Sequence, residues 1–116
     1  MFDYVKYFYV RGNSLNGNVP DLSNADRLIR INLSYNDLDG FAGGTISITG
    51  GQLYITDNKL PQGAIDAILK ALVDGDTTNT YVRLEGGDNE EPSDDGKANI
   101  DTLRDNGCTV TVTGGY

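Results

Sequence analysis

The residues of this chain that could do chemistry are mostly carboxylates, and they crowd one segment. Between residues 74 and 95 lie Asp74, Asp76, Glu85, Asp88, Glu90, Glu91, Asp94 and Asp95, with Arg83 as the only base. Hard cations take carboxylate oxygens, so the stretch GGDNEEPSDDG raises the question of calcium. Its spacing does not match an EF-hand loop, and a negative segment ahead of a helix also complements the helix dipole. We expect no metal there and no cofactor elsewhere. The chain has no histidine, which removes the usual general base and the commonest metal ligand. Cys108, the single cysteine, opens the β-branched run CTVTVT and is expected in the core rather than as a nucleophile. No spacing selects a pair of carboxylates or a serine with a lysine. The expectation is a protein that is not an enzyme.

Composition narrows the partners. Over 116 residues the formal charge is −8, with nine Lys and Arg and no basic run. A surface of that sign repels phosphate backbones, so nucleic-acid binding is not expected. One cysteine cannot build a disulfide framework. No stretch approaches the roughly 20 apolar residues of a membrane span, so no membrane insertion is expected. Nor does a basic segment followed by an apolar one mark a signal peptide. Asn32-Leu33-Ser34 matches a glycosylation sequon, which means little inside a strand and without a secretory route.

The elements that must position any functional residue repeat. Shifting the chain by 22 or 23 residues aligns VKYFYVRGNSL (5–15), LIRINLSYNDL (28–38) and GGQLYITDNKL (50–60). Apolar pairs coincide at Phe8 and Val10, Ile31 and Leu33, Leu53 and Ile55. So do Asn13, Asn36 and Asn58, and the leucines Leu15, Leu38 and Leu60. A looser copy, TYVRLEGGDN, carries Val82 and Leu84, with Asn89 two residues late; CTVTVTGG has the period of a last strand. Ile65, Ile68, Leu69 and Leu72 fall at helical spacing before Gly75. A second helix is expected from Ser93 or Asp94, with Ile100 and Leu103 facing the core and Asn106-Gly107 ending it.

The repeated pattern resembles the leucine-rich-repeat family. The resemblance implies an α/β fold: a short solenoid with a parallel sheet of about five strands and two short helices toward the C-terminus. On this reading residues 1–116 are a single domain, with repeats near 5–27, 28–49, 50–80 and 81–107 and a closing strand at 108–113. Each unit carries too little apolar surface to fold alone, so neighbours must stack. The asparagine reads as a buried amide that satisfies turn backbone. LPQGAIDAIL, LEGGDNEEPSDDG and the closing TVTVT strand are similar to the terminal unit of repeats in bacteriophage virion proteins and some bacterial surface proteins. Glu85, Glu90, Glu91 and Cys108 depart from that pattern and make this end unusually acidic.

Two surfaces could then bind a protein partner. A first strand at 5–11 would leave one edge of the sheet unpaired, with Val5, Phe8 and Val10 lacking a preceding layer. Each such side chain left unburied forgoes roughly 1.5 to 3 kcal/mol. Phe2, Tyr4, Val5, Phe8 and Val10 are the candidate contacts there, with a virion structural protein or further copies of the chain. The resemblance thus implies a small bacteriophage virion component, a capsid decoration or tail or fibre protein, located in the virion. The alternative is an extracellular or bacterial-surface binding module that uses the concave sheet face. There, alternation places Tyr7, Arg30, Gln52, Tyr81 and Thr109 in one row. A second row is Tyr9, Asn32, Tyr54, Arg83 and Thr111, and a third is Arg11, Ser34, Thr56, Glu85 and Thr113. Tyr7, Tyr9, Arg30, Tyr54 and Arg83 are its candidate contacts, since tyrosine beside arginine suits recognition.

Overall fold

The structure, a computed structural model, describes residues 7–9, 12, 14–23 and 30–116. Its elements run β1 (Tyr7–Tyr9), β2 (Asn16–Val19), β3 (Arg30–Asn32), β4 (Asp37–Phe41), β5 (Gln52–Tyr54), α1 (Gln62–Asp74), β6 (Tyr81–Arg83), α2 (Asp94–Asp105) and β7 (Thr109–Thr111). It is a mixed α/β fold with parallel sheets and two helices. One sheet has the order β1-β3-β5-β6-β7, and every neighbouring pair is parallel. A second sheet pairs β2 with β4, also parallel.

Each strand of the larger sheet is three residues long. Ile31, Leu53, Val82 and Val110 are buried at the strand centres, and Leu33, Ile55, Leu84 and Val112 are buried just past the strand ends. α1 lays Ile65, Ile68, Leu69, Ala71 and Leu72 on this layer; α2 adds Ile100 and Leu103. α1 packs against α2 and β4, and α2 against β7. At roughly 1.5 to 3 kcal/mol per buried aliphatic side chain, this shared core is the main stabilising force.

Between strands, a ladder of buried amides takes over from the sheet. Asn36 Oδ1 accepts from Leu15 N–H (2.9 Å), Asn58 Oδ1 from Leu38 N–H (3.0 Å) and Asn89 Oδ1 from Leu60 N–H (3.0 Å). Asn58 Nδ2 donates to Leu33 O and Thr56 O; Asn89 Nδ2 donates to Ile55 O and Leu84 O. Each of these two asparagines therefore ties its own turn to the turn before it. Asn89 fills the same place as Asn36 and Asn58 although its sequence offset is longer. Asn13 lies outside the described residues.

Two features differ from the sequence expectation. Leu38 and Leu60 are buried, whereas Leu15 is 41% exposed. Among the described residues no layer precedes Leu15, so only its following neighbour covers it. The polar sheet of β2 and β4 is the other. Its segments NGNV and DLDGF carry little strand propensity, and neighbour pairing rather than residue preference makes them strands.

The helix ends are set by identifiable groups. Ser93 caps α2 by accepting from Gly96 N–H, and Asp94 and Asp95 occupy its first turn, where the dipole favours them. Pro61 opens α1 and offers no side-chain cap. Glu90 supplies it instead, its Oε2 accepting from Gln62 N–H at 3.0 Å.

Candidate binding face

The strand register puts residues of the larger sheet into cross-strand rows. Tyr7, Arg30, Gln52, Tyr81 and Thr109 align in one, and Tyr9, Asn32, Tyr54, Arg83 and Thr111 in the next. In β3, β5, β6 and β7 these outer positions are exposed or half-buried while the central residue is buried. The third row is different. Ser34 and Thr56 are buried, because Ser34 Oγ accepts from Thr56 N–H at 3.1 Å and the turns close over both. They floor the face rather than project from it. Arg11 lies outside the described residues.

Where the parallel strands β3, β5 and β6 end, the face dips into a hollow of about 230 Å³. Its walls are Asn32, Tyr35, Tyr54, Asp57, Arg83 and Glu85, with Ser34 and Thr56 beneath. Arg83 is fixed from two sides. Its Nε donates to Glu85 Oε1 at 2.8 Å and its Nη2 lies 2.5 Å from the same oxygen. Its guanidinium carbon sits 5.7 Å from the centre of the Tyr54 ring, within cation–π range. Glu85 Oε2 is turned away from solvent and has no hydrogen-bond partner among the described residues.

Tyr35 gives the hollow its second aromatic wall, and it does so in an unfavourable backbone conformation. The ladder of turns requires positive φ just past each strand, met by Gly12 (73°), Tyr35 (58°), Asp57 (56°) and Gly86 (91°). The reason is visible in the bonds: Gly12 N–H reaches Ser34 O, Tyr35 N–H reaches Thr56 O, and Asp57 N–H reaches Glu85 O. Glycine fits this position at no steric cost; a tyrosine there costs about 1 to 2 kcal/mol. Tyr35 is nevertheless present and 51% exposed. Sequence reasoning missed it because it looked only at strand positions.

The remaining candidates separate. Phe2, Tyr4, Val5 and Val10 lie outside the described residues; Phe8 is placed in β1, whose register partner is Ile31. Cys108 is buried, its thiol 3.8 Å from Thr77 O. In the acidic loop one carboxylate, that of Glu90, and two other groups nearby make structural bonds. Besides Glu90 on α1, Glu91 O accepts from Gln62 Nε2, and Asp66 receives both the N–H and the hydroxyl of Ser93. Among the described residues no three metal-ligating side chains converge, and no helix is long and apolar enough to cross a membrane. In the sequon, Asn32 Oδ1 accepts from Ser34 N–H at 3.0 Å, so the acceptor amide is engaged.

Comparison of the chain with family models, with curated proteins and with solved structures gives no match.

Proposed function

We propose that this protein is a short leucine-rich-repeat-like solenoid that works by binding a protein partner rather than by chemistry. Its recognition site is the open sheet face around Tyr35, Tyr54 and Arg83. The observation that carries this reading is Tyr35, an aromatic residue held half-exposed at positive φ where glycine would cost less. Strain of that kind clusters at binding sites. The pinned Arg83 supports it, since a side chain already ordered has less freedom to lose on binding. The amide ladder supports the solenoid, because Asn36, Asn58 and Asn89 each accept a leucine N–H from the unit before. Tyr54→Ala and Tyr35→Gly test the reading. Used as bait in an extract of the cells that make the protein, each variant should remain folded by circular dichroism and lose at least tenfold of the partner held by the parent chain. Full retention by both would overturn the reading.

A second reading is a bacteriophage virion component, a capsid decoration or tail or fibre protein, docking through the N-terminal edge. Leu15, 41% exposed at the first described layer, favours it. So does the pairing of β1 with β3 alone among the described strands. Light scattering of the full chain tests this reading: an assembly of defined mass that is lost on Phe8→Asp supports it, and an unchanged mass counts against it.

A further inference from the structure

We propose that Arg104 and Tyr116 form a gate over the outer edge of β7, and that removing it lets β7 pair with β7 of a second copy. Among the described residues β7 is the last strand of its sheet, with no strand neighbour on one side. Neighbouring residues of a strand turn their main-chain groups to opposite sides. Thr109 N–H bonds to Thr80 O, and Thr111 O accepts from Leu84 N–H, so these two residues face β6. Cys108, Val110 and Val112 therefore turn their main-chain groups to the free side.

On that side the chain closes on itself. Arg104 Nη2 donates to Val110 O at 2.9 Å and to Tyr116 O at 2.7 Å. Cys108 N–H reaches Leu103 O at 3.0 Å, and Gly115 N–H reaches Val112 O at 3.4 Å. Arg104 is in turn held by aromatic contact, 5.4 Å from the centre of the Tyr116 ring. Lys97 lies 5.6 Å from the same ring, and the Tyr116 hydroxyl donates to the Asp101 carboxylate at 2.8 and 2.9 Å. α2 thus supplies three charged side chains that hold one tyrosine across the strand edge.

The strand beneath shows why such a gate matters and what would occupy the opened edge. Cys108 to Thr113 reads CTVTVT, with five β-branched residues and no charge, proline or glycine. Six-residue segments of that composition pair with their own kind. Exposed edges are ordinarily guarded by charges or covering groups, and here one arginine does both. A second β7 would meet the first about a two-fold axis, the closed arrangement commonest among dimers.

The test uses the full chain with Arg104→Ala and, separately, Tyr116→Ala, each compared with the parent at equal concentration by light scattering. We expect a twofold rise in mass for both variants. Adding Thr109→Lys and Thr111→Lys, which puts like charges opposite each other across such a pair, should return the mass to that of the parent. Parental mass for both folded single variants, or a rise that the lysines do not reverse, would overturn the proposal. If Arg104→Ala fails to fold by circular dichroism, Arg104→Met, which keeps the length of the side chain but has no donor for Val110 O, decides the matter in its place.

Discussion

Asn89 Oδ1 accepts the N–H of Leu60 across 29 residues of chain, at 3.0 Å, from a side chain only 3% exposed. The same bond recurs from Asn58 to Leu38 N–H. The first consequence is energetic. Asn58→Ala strands the buried Leu38 N–H, whereas Leu33 O and Thr56 O keep Asn36 Nδ2 and Tyr35 N–H as donors. One buried polar group left unpaired should cost about 1 to 3 kcal/mol. Urea denaturation would show this as a lowered midpoint. A cost within 1 kcal/mol of zero would mean that water replaces the amide.

Glu90 should behave as the missing cap of α1. Because Pro61 cannot provide one, Glu90→Ala removes the acceptor for Gln62 N–H and should lower stability by about 1 kcal/mol. Millimolar calcium should leave the thermal midpoint unchanged in both proteins. A calcium-dependent rise in the parent, absent from the variant, would reassign this loop to metal binding.

Two glycines make opposite predictions. A Cβ at Gly75 would lie 2.2 Å from Ile46 O and 2.6 Å from its carbonyl carbon, both main-chain atoms. Gly75→Ala must shift backbone and should cost about 1 to 3 kcal/mol. Gly63, in the first turn of α1, has nothing within 4 Å of such a Cβ. Gly63→Ala should therefore stabilise by roughly 0.4 to 1 kcal/mol, by reducing the freedom of the unfolded chain. Thermal melts of the two variants separate packing from chain entropy.

The Tyr116 clasp carries a pH dependence. The hydrogen bond to Asp101 holds the phenol above its ordinary range, with burial and the Asp101 charge acting in the same direction and Arg104 against them. The folded state thus favours the protonated phenol. That contribution is fully present below the ordinary phenol value near 10 and is lost as the pH rises through the higher folded value. Lys97, Arg104 and Asp101 are the charged groups facing it. The stability difference between the parent and Tyr116→Phe should be constant at neutral pH and shrink above about pH 10. A difference that grows with alkalinity would contradict the assignment.

Much of this fold was legible where period and chemistry coincide. The α1 positions Ile65, Ile68, Leu69 and Leu72 showed in helical spacing, and Ser93 was one of two candidate caps of α2, with Asp94 the other. Parallel strands at Ile31, Leu53 and Val82 were implied by the family resemblance of the repeat rather than by its period, and the observed pairing is parallel. What escaped depends on pairing between units rather than on local pattern. β2 and β4 are polar and glycine-containing, and they become strands only because they lie side by side. No sequence pattern singled out Thr77 or the hydroxyl of Thr80, yet both residues are buried, with hydroxyls donating to Ile46 O and Ile48 O. The candidate face was legible in part. Alternation could list Tyr54 and Arg83 as outward residues. It could not foresee that Ser34 and Thr56 sink beneath them, nor that a turn residue, Tyr35, rises beside them.

The sheet-face and N-terminal-edge readings divide on one comparison. Three baits, the parent chain, Tyr54→Ala and Phe8→Asp, would be exposed to the same extract, and the bound protein measured by quantitative mass spectrometry. The account centred on Tyr35, Tyr54 and Arg83 predicts a partner retained by Phe8→Asp and reduced at least tenfold by Tyr54→Ala. The same partner retained by Tyr54→Ala and lost by Phe8→Asp would contradict it and move the binding site to the edge of β1.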